Sequence, residues 1–127
     1  MKCLDTTYLI DYLEGTLKAQ MPPQEYCTTQ INVYEILVGI HRRNSPKKAE
    51  QLARTERFFR EVHILPLTDS AVRLAAEIGG MLVRSGKELG QNDCMIAAIA
   101  LTHGVSTVIT KNISDFRRIH GITVEPY

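Results

Sequence analysis

The chain of 127 residues, 44% hydrophobic and 23% charged, has the make-up of one compact globular domain and no room for a second. A formal net charge of +1 argues against a protein that holds nucleic acid by bulk charge alone, and no apolar run approaches the roughly 20 residues of a membrane helix. Three cysteines, Cys3, Cys27 and Cys94, are odd in number and share no CxxC or Cys/His spacing, which excludes a disulfide framework and a zinc site.

Along the chain, short apolar segments alternate with helical periodicity, the pattern of an α/β fold. The opening Met-Lys-Cys-Leu-Asp lacks the apolar segment and small-residue cleavage site of a signal peptide, so the expected location is cytoplasmic. Lys2 to Asp5 reads as a short strand. Thr6 or Thr7 is expected to cap a helix from about Tyr8 to Glu14 with Leu9, Ile10 and Leu13 on its apolar side, and Pro22-Pro23 to close that unit. Tyr26 to Thr29 is the second strand, and Asn32 to Arg42 a helix carrying Val33, Ile36, Leu37 and Ile40. Asn44-Ser45-Pro46 marks a turn, with Pro46 at the first position of a helix that runs to about Arg60. Val62 to Leu67 is the third strand; Thr68 and Asp69 then open a long amphipathic helix that stops at Gly86. After a loop at Leu89 to Asn92, residues Asp93 to His103 form a helix apolar almost all round, hence central and buried. Gly104 ends it, Val105 to Thr110 is the fourth strand, Ser114 to Ile119 a short helix, and Ile122 to Glu125 an edge strand stopped by Pro126.

The small net charge conceals an uneven distribution. Seven of the fifteen basic residues lie between positions 42 and 60: Arg42, Arg43, Lys47, Lys48, Arg54, Arg57 and Arg60. Residues 1 to 36 carry five acids against Lys2 and Lys18. A basic surface beside an acidic pocket can hold a polyanion that the pocket alone would repel, although a solvated helix face is the simpler explanation of the basic stretch taken alone.

Four acids, Asp5, Glu35, Asp93 and Asp115, stand near helix starts, and each has a local explanation. Asp5 suits an Asx turn or cap, Glu35 a capping box with Asn32, Asp93 a helix dipole, and Asp115 the first turn of its short helix. In a mostly parallel sheet, however, the carboxyl ends of the strands share one edge where ligands bind. Asp5, Glu35 and Asp115 would open onto that edge, and Asp93 begins the buried helix beside it. Four carboxylates in one crevice raise one another's pKa values unless a cation lies between them, and hard Mg2+ or Mn2+ prefers such oxygen ligands. Such a site suits phosphodiester hydrolysis. No nucleotide-binding glycine motif is present, and His41, His63, His103 and His120 share no ligand spacing.

Four segments in order carry a family resemblance over essentially the whole chain: Leu4 to Asp11, Tyr34 to Gly39, Gln91 to Ala98, and Val108 to Phe116. Together they resemble the PIN-domain ribonucleases, and among these the VapC toxins of toxin–antitoxin pairs. The resemblance implies an α/β/α sandwich of three layers around a mostly parallel sheet of four or five strands. It also implies a Mg2+- or Mn2+-dependent endoribonuclease, homodimeric and silenced by an antitoxin protein that occludes the site. Asp5, Glu35, Asp93 and Asp115 match the acidic quartet, with Asp5 and Asp93 as metal ligands and Glu35 and Asp115 acting directly or through water.

Thr6, Thr110 and Asn112 match the family's small polar residues, whereas Lys111 replaces the usual arginine of the last segment. Lysine keeps the charge but loses the bidentate fork, which favours a phosphate contact over a planar carboxylate contact. Asp11 lies partway down its helix and is expected away from the metal or supporting it from behind. Leu13, Leu37, Val38, Met81 and Leu82 suit a dimer face, an antitoxin groove or the core. Rival readings are a PIN-like module that binds RNA or protein without cutting, a nuclease of the same fold that is not a toxin, and a phosphatase of the haloacid dehalogenase type. The last requires an acid where Thr7 stands.

Overall fold

The computed structural model describes residues 1–17 and 25–127, so the expectation for Pro22-Pro23 lies outside the described residues. The elements are β1 (Lys2–Leu4), α1 (Thr6–Leu13), β2 (Tyr26–Thr29), α2 (Gln30–Arg43), α3 (Lys48–Phe59), β3 (His63–Leu65), α4 (Asp69–Arg84), α5 (Gln91–Thr102), β4 (Thr107–Ile109), α6 (Ile113–Phe116) and β5 (Thr123–Glu125). The strands form one sheet in the order β3-β2-β1-β4-β5, parallel at every pairing.

Side chains alternate across this sheet and build two cores. Cys3, Cys27 and Val108 face α4, α5 and α6, where Ala75, Leu82, Ile96, Ala97, Ala100 and Phe116 close over them. Leu4 and Ile109 face the other way, against Leu9 of α1, Ile36 and Ile40 of α2, and Phe59 of α3. The result is three layers, α/β/α. The three cysteines are buried and unpaired in a disulfide.

The chain leaves β1 toward β2 and β3, then crosses back to place β4 on the other side of β1. That reversal puts a crevice at the carboxyl ends of β1 and β4, the position where open parallel sheets bind ligands. Asp5 follows β1 directly and Thr110 follows β4 directly. Backbone bonds fix both ends: the Asp5 N–H donates to Ile109 O at 3.0 Å and the Thr110 N–H to Glu125 O at 3.2 Å.

Several element ends differ from expectation for local reasons. Asp5 occupies the N-cap position of α1, and Thr6 and Thr7 are already helical, so neither threonine caps it. Thr29, not Asn32, caps α2, with Asn32 as the third helical residue of a capping box. α3 begins at Lys48 and not at Pro46, because the Lys47 N–H donates to Ser45 Oγ at 3.1 Å and prolongs the turn. α5 begins at Gln91, two residues before Asp93, after Gly90 at the cap. Gly86 and Gly104 end their helices at φ +71° and +76°. Lys87 and Val105 then donate back to Leu82 O and Ala100 O at 2.8 and 2.9 Å, which closes each helix end with a left-handed glycine.

Candidate metal centre

Asp5 is 2% exposed, yet its carboxylate makes no cap bond to α1. Its oxygens are held by side chains from three other places in the chain. Thr110 donates to Oδ2 at 2.6 Å, Thr7 donates to the same oxygen at 3.4 Å, and Asn32 Nδ2 donates to Oδ1 at 3.4 Å. Thr110 also accepts the Asn112 N–H at 2.9 Å, and Thr7 accepts the Lys111 N–H at 3.1 Å, so the turn after β4 is stitched to the start of α1.

Asn32 is fully buried and every polar atom of its side chain is used. Oδ1 accepts from the Thr29 N–H and hydroxyl at 3.2 and 2.7 Å, completing the α2 cap, while Nδ2 donates to Thr6 Oγ1 at 3.0 Å as well as to Asp5. Thr6 passes the chain on, donating to Glu35 Oε1 at 2.6 Å. Asn92 Nδ2 donates to Glu35 Oε2 at 3.4 Å. Glu35 therefore does not serve in a capping box with Asn32; it is turned into the crevice one helical turn further along α2. Asn32, Thr7 and Asn92 are site residues that the sequence reading did not single out. The signal for Asn32 was a Thr-x-x-Asn capping pattern, which explains only half of its hydrogen bonds.

Asp93 lies in the first turn of α5 and Asp115 in the first turn of α6. Neither caps its helix: Gly90 and Asn112 hold the cap positions, without side-chain cap bonds. Asp115 Oδ1 is 3.8 Å from Arg118 Nη2, a loose pair at a half-exposed position. Burial, followed by the charges of Asp5, Glu35 and Asp115, pushes the Asp93 carboxyl up to about 6. Asp5 is also raised, chiefly by burial and secondarily by Glu35, against the lowering effect of Thr110 and the Thr6 N–H. Asp93 thus feels the charges of all three other acids, and Asp5 that of Glu35, on top of burial.

Among the described residues no three Asp, Glu, His or Cys side chains converge tightly enough to cage an ion. The crevice offers a partial, all-oxygen donor set. That chemistry fits Mg2+ or Mn2+, which keep part of their water and take one or two carboxylates, and it does not fit zinc.

Lys111 and Asn112 flank this crevice differently from expectation. Lys111 Nζ is 2.6 Å from Asp11 Oδ2, and Tyr127 donates its hydroxyl to that same oxygen at 2.8 Å. The ammonium also lies 5.4 Å from the centre of the Tyr127 ring, which meets Tyr8 edge-on. Lys111 therefore makes the carboxylate contact that the loss of the arginine fork disfavoured, as a single point-charge pair. That pair, with the Tyr127 hydroxyl next, holds Asp11 below the ordinary carboxylate range. Asp11 thus commits its carboxylate to Lys111 and Tyr127. Asn112 contributes its backbone N–H to Thr110, and its side chain is exposed.

Beside the crevice, α1, α2 and α3 enclose a cavity of about 90 Å3 whose lining includes Leu13, Ile36, Ile40, Glu35, Arg43 and Gln51. Leu82 is core, Leu37 is half-buried, and Val38 and Met81 are exposed.

The sequence profile of the PIN domain matches residues 2–122. Ribonuclease VapC1 of Rickettsia felis is 37% identical over 91 residues, covering 71% of this chain and 67% of the relative. The tRNA(fMet)-specific endonuclease VapC of Salmonella typhimurium is 31% identical over 101 residues, covering 80% and 74%. Among solved structures, DNA-bound VapBC from Salmonella typhimurium superposes with a TM-score of 0.87 at 27% identity, covering 98% of this chain and 96% of that one.

Proposed function

The chain belongs to the PIN-domain family, and from that premise we propose that it is a metal-dependent endoribonuclease, the toxin of a type II toxin–antitoxin pair. The observation that carries the chemistry is the state of Asp5. It is a buried carboxylate, excused from capping, held by Thr110 and Asn32, and it joins Glu35 and Asp115 in adding to the effect of burial that raises Asp93 to about 6. A buried group so firmly oriented and so poorly neutralised is arranged for a cation and not for helix stability.

In this reading Asp5 and Asp93 hold Mg2+ or Mn2+ directly, and Glu35 and Asp115 do so directly or through water. When bound, the ion lowers the pKa of a coordinated water and neutralises charge on the departing oxygen. The chain's own residues supply orientation. Thr110 and Asn32 fix the Asp5 oxygens, and Thr6 and Asn92 fix those of Glu35. Such outer hydrogen bonds keep ligand carboxylates in place before the substrate arrives. In the metal-free chain burial and the neighbouring acids raise the Asp93 carboxyl to about 6, and a bound cation would hold it ionised as a ligand. Lys111 and Asn112, both exposed, form the rim where an RNA phosphate would enter, and Thr110 lies buried behind them against Asp5.

The partner reading rests on relatives that occur as toxin–antitoxin assemblies. The cavity between α1, α2 and α3 supports it, because Glu35 belongs both to its lining and to the crevice. Exposed Tyr34, Val38 and Met81 are available for homodimer formation, and both RNA and antitoxin point to action in the cytoplasm. Incubating the purified chain with a transfer-RNA pool, with Mn2+ and with EDTA, tests the activity: discrete cuts only with Mn2+ support it, and intact RNA in both arms overturns it.

A further inference from the structure

A second concave surface lies beside Asp115, lined by its neighbour Ser114 and by Arg118, which pairs with it. The loop after α4 and the short α6 enclose an open cleft of about 490 Å3, lined by Gly86, Lys87, Glu88, Ser114, Arg117 and Arg118. Three cations line it with one carboxylate, Glu88, and Asp115 lies against Arg118, which leaves Lys87 and Arg117 as the charges turned to the cleft, in a protein whose formal net charge is only +1. Neither Lys87 nor Arg117 forms an ion pair among the described residues. Arg118 is already oriented, donating from Nη1 to the Glu88 carbonyl at 2.8 Å and lying 3.8 Å from Asp115 through Nη2. The base of Lys87 is fixed as well, since its N–H closes the end of α4 on Leu82 O at 2.8 Å.

We propose that this cleft binds the phosphodiester backbone of RNA beside the scissile bond, through Lys87, Arg117 and the Ser114 hydroxyl, with Arg118 holding the two walls together. The inference rests on the ribonuclease reading, because it takes Asp115 as the boundary shared by the cleft and the cleavage site. Its physical logic is the charge of the two neighbours. An acidic crevice repels phosphate, so a polyanion is retained only if cations meet its adjoining phosphates. The six lining residues offer no aromatic platform and no apolar floor. The cleft therefore suits the backbone and not the bases, and it contributes affinity without sequence preference.

The test is binding of a short labelled single-stranded RNA, read by fluorescence anisotropy across a salt series with Mg2+ present. Asp93→Asn serves as the background so that the RNA stays intact. Adding Lys87→Gln and Arg117→Gln is expected to raise Kd about tenfold at 0.1 M salt and to lower the slope of log Kd against log salt by about 1.4. Adding Arg57→Gln and Arg60→Gln, which removes the same charge from the C-terminal end of α3 and the residue that caps it, is expected to change Kd less than about twofold. An unchanged Kd and slope in the cleft variant, or an equal loss in the α3 variant, overturns the proposal. Cleavage by the wild-type chain is scored separately: RNA held through the cleft but left uncut counts for the cleft and against the ribonuclease reading.

Discussion

Asp93 carries a conflict between stability and chemistry. Its folded carboxyl is raised to about 6 by burial and by three neighbouring acids, so the fold favours the protonated form. As pH climbs from about 4 the unfolded chain ionises at Asp93 while the folded chain resists. Stability from this group is therefore full below the ordinary carboxylate range, is lost between about pH 4 and 6, and stays lost above. Asp5, raised in the same direction, adds to the decline. Asp11 has the opposite sign: its lowered carboxyl contributes above the ordinary value and loses that contribution only in more acid solution. Urea unfolding in EDTA should accordingly give a lower midpoint at pH 7 than at pH 5, and Mn2+ should raise the pH 7 midpoint. Asp93→Asn should abolish cleavage and raise the metal-free stability at pH 7 by about 1 kcal/mol after allowing for solvent that still reaches the group. A variant that is both inactive and less stable would contradict this account. Thr110→Val removes the 2.6 Å bond to Asp5 from a fully buried position and should cost about 1 to 3 kcal/mol, with cleavage reduced tenfold or more. The quartet was legible as four acids near helix starts. The partners of Lys111 were not, because Asp11 and Tyr127 meet it only through the fold.

At the scale of elements, α2 joins helix stability to site geometry. Asn32 closes the α2 cap with one end of its amide and supports Asp5 and Thr6 with the other. Thr29→Ala should cost about 1 kcal/mol as a lost cap. Asn32→Ala should cost more, since it strands several buried hydrogen-bonding groups, and should also lower kcat. Thr68→Ala is the matched control: Thr68 caps α4 by accepting the Ala71 N–H at 3.2 Å, and its loss should reduce the melting temperature by a few degrees with kcat unchanged. Equal kinetic effects in the two helices would show that Asn32 acts through stability alone. The helices themselves were legible from apolar spacing. The starts of α2 and α5 were not, because Asn32 and Asp93 both look like caps and the cap was taken by Thr29 in one case and Gly90 in the other, whereas α4 opens at Thr68 and Asp69 as read from the sequence.

For the whole molecule, the strand order explains why residues more than a hundred positions apart share a site. β1 is central, β4 returns to its side, and the turn after each strand delivers Asp5 and Thr110 to one crevice. Alternation of strands and helices indicated an α/β fold with its ligand edge at the strand ends. The expected parallel pairing is met at every strand pair, whereas the strand order does not follow from that alternation. As a toxin, the chain expressed alone should arrest growth, and Asp93→Asn should relieve the arrest at equal protein abundance. Arrest that persists at equal abundance in the variant would detach toxicity from the crevice. The central claim is that the four-acid crevice binds a divalent cation, and calorimetric titration of Mn2+ into the metal-free chain near pH 7.5 tests it most directly. Saturable binding by the wild type, lost in Asp5→Asn while that variant still melts cooperatively, is the predicted result; equal Mn2+ affinity in the two proteins would contradict it.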